Sequence, residues 1–257
     1  MQRLFFGLAL SVGLWAQNLV PTSAQDTTLT LQQLGVNLRP AISREAFAQL
    51  VTGSPFSARE ERKTVQTLGD GTQLESSDTS TVYRDAQGRT RMEQTTQGKT
   101  RVTISDPVAG VRLQLDPEQR TALRIALPGG GGGRGRGVTA AGAGELLWQT
   151  IPGHEGAVQT ENLGQSMQNG VMAQGTRVTL TIPHGQIGNN RDIHVVSERW
   201  YSKDLQMAVK TMNSDPRFGV TTWELTNISR SAPDPMLFQA PADYTITAPG
   251  GRGHGGR

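Results

Sequence analysis

The sequence predicts a mainly β protein, built as a single curved antiparallel sheet with one or two short helices. Apolar and polar residues alternate along many short segments after Thr100, which is the pattern of strands with one buried face. Turn-forming Gly, Pro and Asp-Pro steps separate these segments at short intervals, so successive strands are expected to pair. We therefore expect one β domain over residues 54–246, with a single insertion.

The first 24 residues have the pattern of a secretory signal. Arg3 supplies the positive end, and Leu4 to Trp15 form an apolar core that is too short to span a bilayer. Thr22-Ser23-Ala24 provides the small residues of a cleavage site. We expect a periplasmic or secreted protein, cleaved near Ala24 and without a stable membrane anchor. The chain has no cysteine, which excludes disulfides and a lipid-modified cysteine.

The charge balance argues against nucleic acid as a partner. With 25 basic and 22 acidic residues, the formal net charge of +3 is too even for a surface that binds nucleic acid or an anionic membrane. Arg and Gly cluster instead in residues 128–144 and 247–257, where apolar residues are too few to offset chain entropy. We predict that both segments are disordered.

Short helices are expected only beside the sheet. Residues 25–53 form a polar lead-in that ends in SREAFAQLVTG, where Ser43 can cap a helix and Gly53 can end it. This helix would run from Ser43 to Val51. Residues 145–151 are the candidate for a second one.

Residues 56–127 predict six strands in a row, joined by short turns as an antiparallel meander. The first two strands are polar on both faces. Alternation is clear in the later ones, whose apolar sets are Val102 and Ile104, then Val111, Leu113 and Leu115, then Leu123, Ile125 and Leu127.

The sheet is expected to resume after the Gly-rich insertion. A strand carries Val178, Leu180 and Ile182, and another begins at Ile193 and runs through Tyr201. The next two strands alternate through Leu205, Met207 and Val209, and through Thr221, Trp223 and Leu225. The total is about nine to eleven strands, enough for one curved sheet.

The chain then changes to a proline-rich segment, APDPMLFQAPADY, over residues 232–244. Its prolines lack amide donors, which excludes a central strand. We predict an apolar strap that docks over a sheet edge or mouth through Met236, Leu237, Phe238 and Tyr244.

The sequence offers no catalytic or metal-binding pattern that predicts an enzyme. His154, His184, His194 and His254 show no metal-ligand spacing, and no cysteine or serine nucleophile motif is present. His184 and His194 could meet as a pair, or be a loop histidine and a strand-face histidine. We expect no cofactor and no metal.

Three stretches carry a resemblance to a known family: VYRDAQGRTRMEQ, ISDPVAGVRLQLDPEQRTALRI, and ERWYSKDLQMAVKTMNSDPRFGVTTWELTNI followed by LFQAPADY. Together they resemble uncharacterised secreted bacterial proteins and, more distantly, the superfamily of LolA-like periplasmic lipoprotein carriers and envelope-stress sensors. The resemblance implies an incomplete β-barrel whose concave apolar face is covered by helices and holds acyl chains. This chain departs from the carriers in its polar early strands and its scarcity of helices.

On this basis, the candidate ligand-binding residues are Trp200, Met207, Trp223, Leu225 and Phe238. An apolar face binds hydrophobic ligands because burial scales with apolar area. The alternative is that these side chains fill a core. The expected function is that of an exported, non-catalytic protein that binds a hydrophobic, lipid-like small molecule. Two alternatives remain, namely an envelope sensor or scaffold that binds a partner protein at a sheet edge, and an unrecognised hydrolase.

Overall fold

The computed structural model describes residues 50–127 and 158–248. The predicted fold class is confirmed, since these residues form one open, curved β-sheet that does not close into a barrel. The predicted signal, the 128–144 insertion, the helix predicted at 145–151 and nearly all of the tail lie outside the described residues. So does most of the helix predicted from Ser43 to Val51; its two described residues, 50 and 51, are not helical.

The sheet contains twelve strands in the order β12-β6-β5-β4-β3-β2-β1-β11-β10-β9-β8-β7. Their bounds are β1 Phe56–Thr67, β2 Gln73–Arg84, β3 Thr90–Thr96, β4 Lys99–Asp106, β5 Val111–Asp116, β6 Thr121–Ala126, β7 Val158–Gln168, β8 Val171–Ile182, β9 Ile193–Ser202, β10 Met207–Asp215, β11 Gly219–Ser229 and β12 Thr245–Thr247. Two strands were not foreseen, because β7 shows no regular apolar alternation and β12 follows directly after the proline-rich segment.

Two antiparallel meanders meet in the middle of the sheet. Strands β1 to β6 form the first and β7 to β11 the second, and they join where β1 pairs with β11. Only β12 pairs in parallel, with β6. The predicted six-strand and later meanders are therefore confirmed. The first strand of the first meander, β1, lies next to the last strand of the second, β11, and we call this junction the seam.

Bulges occur at the seam and in the second meander. The register shifts in the β7–β8, β9–β10 and β1–β11 pairings, whereas the pairings from β1 to β6 run without interruption. A bulge increases the local twist and turns side chains away from strict alternation. This explains why Ala208, expected on the polar side of its strand, is buried beside Met207 and Val209.

The apolar residues gather in three clusters. The first cluster contains Phe56, Ala58, Val82, Val171, Ala173, Leu205, Met207, Ala208, Val209, Trp223 and Leu225. The second contains Val102, Ile104, Leu115, Ala122 and Phe238, and the third contains Leu180, Ile182 and Val195. The first cluster therefore draws on both meanders, and the second belongs to the β4–β6 side of the sheet.

One face assignment was wrong. In β6 the sequence suggested Leu123, Ile125 and Leu127 as the buried set, but these are half-buried and Ala122 is fully buried. The register explains the difference, because Ala122 pairs with Leu115, whose side chain lies in the second cluster.

The predicted strap docks on the second cluster. Pro235–Phe238 forms a 3-10 turn that Asp234 caps by accepting a hydrogen bond from the Met236 amide at 2.9 Å. The Phe238 side chain is buried, and Leu237 and Tyr244 pack around it. Met236 does not take part, because its side chain is 68% exposed. Beyond the strap, β12 pairs with β6 and covers that edge of the sheet.

Helices of membrane-spanning length and apolarity do not occur in residues 50–127 or 158–248.

Candidate binding site

The structure brings four of the five predicted ligand-binding residues together. Met207, Trp223 and Leu225 are buried in the first cluster, and the half-buried Trp200 packs against it. Phe238 lies apart in the second cluster, because the strap carries it to the β4–β6 side of the sheet. The four residues form part of a packed core, and their role in binding a ligand stays a prediction.

A buried arginine holds the first cluster together. Arg84 Nε donates a hydrogen bond to the Ser54 carbonyl at 2.9 Å, and Nη2 donates to the carbonyl of Leu205. Its guanidinium lies 4.8 Å from the centre of the Phe56 ring, and Nη1 is 3.9 Å from Met207 Sδ. Burial lowers the pKa of Arg84 to about 10. These contacts fix the β9–β10 turn against the start of β1.

A buried carboxyl lies at the seam between the two meanders. Glu60 pairs with Leu225 and Ser80 and is 7% exposed, and its Oε2 has no hydrogen-bond partner within residues 50–127 and 158–248. Burial raises the pKa of Glu60, while Trp223, Arg62 and Ser80 partly lower it. Among the described residues, the buried indole Nε1 of Trp223 reaches no acceptor in hydrogen-bonding geometry, so it lowers the pKa of Glu60 as a nearby dipole.

The Trp200 ring lies over a glycine rather than over open sheet. A Cβ added to Gly175 would lie 2.7 Å from Trp200 Cζ3 and 2.9 Å from the Cβ of Leu163. Only glycine leaves room for this close approach. Leu163, Gly175 and Trp200 therefore form an apolar row across β7, β8 and β9, with Leu163 at the bulge of the edge strand.

A row of charges runs beside the apolar row. Arg177 Nη1 lies 2.9 Å from Glu161 Oε2 on β7, and Nη2 lies 2.7 Å from Glu198 Oε1 on β9. The hydrogen bond with Glu198, and then that with Glu161, raises the pKa of Arg177. Two carboxylates share one guanidinium, so the row carries a formal charge of −1. We call these two rows together the edge patch.

Strand β7 is an open edge. Among the described residues, nothing pairs with its outer side. The β7–β8 hairpin closes through Asn169 and Gly170, whose φ angles of 46° and 90° fit a two-residue type I′ turn. Such a turn is flanked by a hydrogen-bonded pair, here Gln168 and Val171, and bonded pairs then alternate along the ladder. The N–H and C=O of Gln165 and Met167 therefore point to the free side.

The two histidines take the positions of a loop residue and a strand-face residue. His184 lies in the loop after β8, where its backbone N–H donates to Asp192 Oδ1 at 2.8 Å. His194 lies on β9 with Nδ1 3.0 Å from Thr181 Oγ1. In the part of the chain that the structure describes, no three His, Asp or Glu side chains form a group that could hold a metal ion.

The edge patch was not predicted from the sequence. Strand β7 has the sequence VQTENLGQSMQ, which shows no regular apolar alternation, and the bulge at Gly164 interrupts its register. One signal was available, because Asn169-Gly170 is the pair that two-residue hairpin turns prefer. Trp200 was identified, but as a wall of a cavity.

No protein-family model and no curated protein matches the chain. Among solved structures it is similar to MucB in complex with MucA(peri), at 15% identity and a TM-score of 0.42, over 87% of this chain and 62% of that one. An uncharacterised conserved protein from Thermus thermophilus is similar at 12% identity and a TM-score of 0.41, over 88% and 99%. A LolA superfamily protein, NE2245 from Nitrosomonas europaea, is similar at 9% identity and a TM-score of 0.30, over 78% of this chain and 96% of that one.

These similarities agree with the distant resemblance seen in the sequence, and they concern the fold alone. The chain spans about three fifths of the length of the MucB chain that it matches.

Proposed function

We propose that the chain is an exported, non-catalytic binding protein that holds an extended segment of a partner protein along β7. The observation that carries the proposal is the outer side of this 11-residue edge strand, which no described residue covers. An added strand would bind through main-chain hydrogen bonds, as in other complexes formed by strand addition.

The composition of β7 supports this role. Edge strands are commonly protected by lysine, proline or a covering segment, because an open edge invites pairing with other chains. The opposite edge has such protection in β12, which pairs with β6. Strand β7 contains neither lysine nor proline, and the carboxylate of Glu161 is engaged by Arg177. The outer side of β7 is thus free to pair on both sides of the bulge between Asn162 and Gly164.

A peptide-display selection on the full chain tests the proposal, with hydrogen exchange as the readout of the site. Selected peptides are expected to slow exchange in residues 158–168. Gln165→Pro should abolish this protection and lower peptide affinity at least about tenfold, because proline removes an outward N–H and disturbs the edge. Gln165→Ala is the matched control and should bind as the parent does. Protection elsewhere, or equal binding by both variants, overturns the proposal.

The second candidate is the hydrophobic ligand that the sequence predicted. It is favoured by the half-buried Trp200, which packs against the cluster that holds the buried Trp223, Met207 and Leu225 and would give a ligand an accessible contact there. Native mass spectrometry of gently purified protein should then show a bound lipid, and acyl ligands should raise the Tm. Trp200→Ala should remove both signals. A ligand-free spectrum with an unchanged Tm excludes this candidate.

A further inference from the structure

The edge patch also indicates which partner segment β7 would hold, an inference that rests on the proposed function. We propose that the segment carries a lysine or arginine on the face of Glu161 and, two residues away on the same face, an apolar side chain. The first would pair with Glu161 and the second would pack on Leu163.

The charge row supplies the first part of this pattern. A strand added to β7 would place its side chains beside those of β7, because directly opposed residues share one face of a sheet. Glu161 is the outermost member of the row, and its side chain is 60% exposed. Arg177 already divides its charge between Glu161 and Glu198, so the row keeps an excess of one negative charge at the edge. A cation on the added strand would extend the alternation of charge by one strand.

The apolar row supplies the second part. Leu163 is half-buried against Gly175 and Trp200, and its outer side faces the position of an added strand. An apolar side chain there would cover the exposed part of Leu163 and remove it from water. Since residues two apart in a strand lie on the same face, the basic and apolar residues should be separated by one residue.

Synthetic peptides of one extended, threonine-rich host sequence test the pattern. Fluorescein-labelled versions carry Lys-Thr-Leu or Leu-Thr-Lys at the centre, since the orientation of the added strand is open. Replacing the lysine by glutamate should weaken binding about three- to tenfold, because opposite charges attract and like charges repel across a pair of strands. Replacing the leucine by serine should weaken it about two- to fivefold. The charge effect should shrink between low and high salt.

Charge reversal in the protein identifies the partner of the lysine. Glu161→Lys should invert the preference, so that the glutamate peptide binds more tightly than the lysine peptide. Glu75→Lys is the matched control, because Glu75 is a strand carboxylate of similar exposure, 55%, that also pairs with a cation, Lys63 at 2.7 Å. It should leave the preference unchanged.

The outcomes separate the inference from the proposed function. If lysine and glutamate peptides bind equally and both protect residues 158–168, the pattern is wrong and strand addition stands. If no peptide protects β7 and Gln165→Pro has no effect, the proposed function fails. If the protein forms a dimer by sedimentation that Gln165→Pro dissociates, the occupant is a second copy of the chain, and the inference is overturned.

Discussion

The two meanders of this sheet share an antiparallel topology but differ in regularity and in how their outer edges end. From β1 to β6 every register is uninterrupted, β12 pairs with the outer strand β6, and the strap docks on the second cluster. From β7 to β11 two of the pairings contain bulges, and among the described residues the outer edge has no partner. The chain itself closes one half, whereas the other half presents, within the described residues, an unpaired edge backbone.

The difference shows how one sheet separates stability from recognition. Regular strands with a docked strap bury Phe238, Ile104 and their neighbours in a cluster that needs no partner. Bulges in the other half re-aim side chains, so that Trp200 lies over Gly175 and Leu163 comes to the edge. We expect substitutions in the strap to act on folding, and substitutions in the edge patch to act on binding as well.

The largest expected effect is at the closed edge. Phe238→Ala should lower the free energy of unfolding by about 3–5 kcal/mol, because it empties the space that the strap fills. The parent side chain is 4% exposed and lies 5.2 Å from the Arg89 guanidinium. Urea denaturation measures the loss. Met236→Ala, two residues away and 68% exposed in the parent, should change stability by less than about 0.5 kcal/mol. Equal losses would show that the strap is not docked.

A smaller loss is expected at the apolar row of the open half. Gly175→Ala places a Cβ 2.7 Å from the Trp200 ring and should cost about 1–3 kcal/mol through overpacking. It should also change the fluorescence of Trp200. Gly69→Ala serves as the control, since its added Cβ meets nothing within 4 Å. An unchanged Tm in Gly175→Ala would mean that the Trp200 ring does not lie over this glycine.

The sequence predicted the closed half better than the open one. Alternation located Val102, Ile104 and Leu115 correctly, because regular registers keep every second side chain on one face. It failed for Ala122, a small residue whose burial depends on its partner Leu115 rather than on its own hydrophobicity. Strand β12 could not be foreseen, because only pairing with β6 makes these three residues a strand.

In the open half, pattern alone found the buried strands and missed the edge. Met207, Trp223 and Leu225 were correctly predicted to be buried because their alternation is clear, and the structure places them in one cluster. Strand β7 was not predicted because most of its side chains are exposed on both faces, so no buried face imposes alternation on its sequence. The pairing of Glu161 with Arg177 depends on a register that the bulge shifts, and no local pattern encodes that register.

The smallest expected effect lies at the seam, where β1 joins the two halves. Because burial raises the pKa of Glu60, the unfolded chain loses this proton at a lower pH than the folded protein does. Stability from this group therefore falls as pH rises from about 4.5 through the folded-state pKa. Below that window Glu60 is protonated in both the folded and the unfolded state, so the loss of stability is absent.

Glu60→Gln removes the ionisation and should gain stability relative to the parent between pH 4 and pH 7, as followed by urea denaturation across that range. The gain is limited because Arg62, with Nη2 3.9 Å from Oε1, offsets part of the burial penalty in the parent. Glu118→Gln, at an exposed turn, is the control for the same change of side chain away from the seam. If the free energies of unfolding of Glu60→Gln and the parent differ by the same amount at every pH, the Glu60 carboxyl is exposed to water and the seam is not buried at this position.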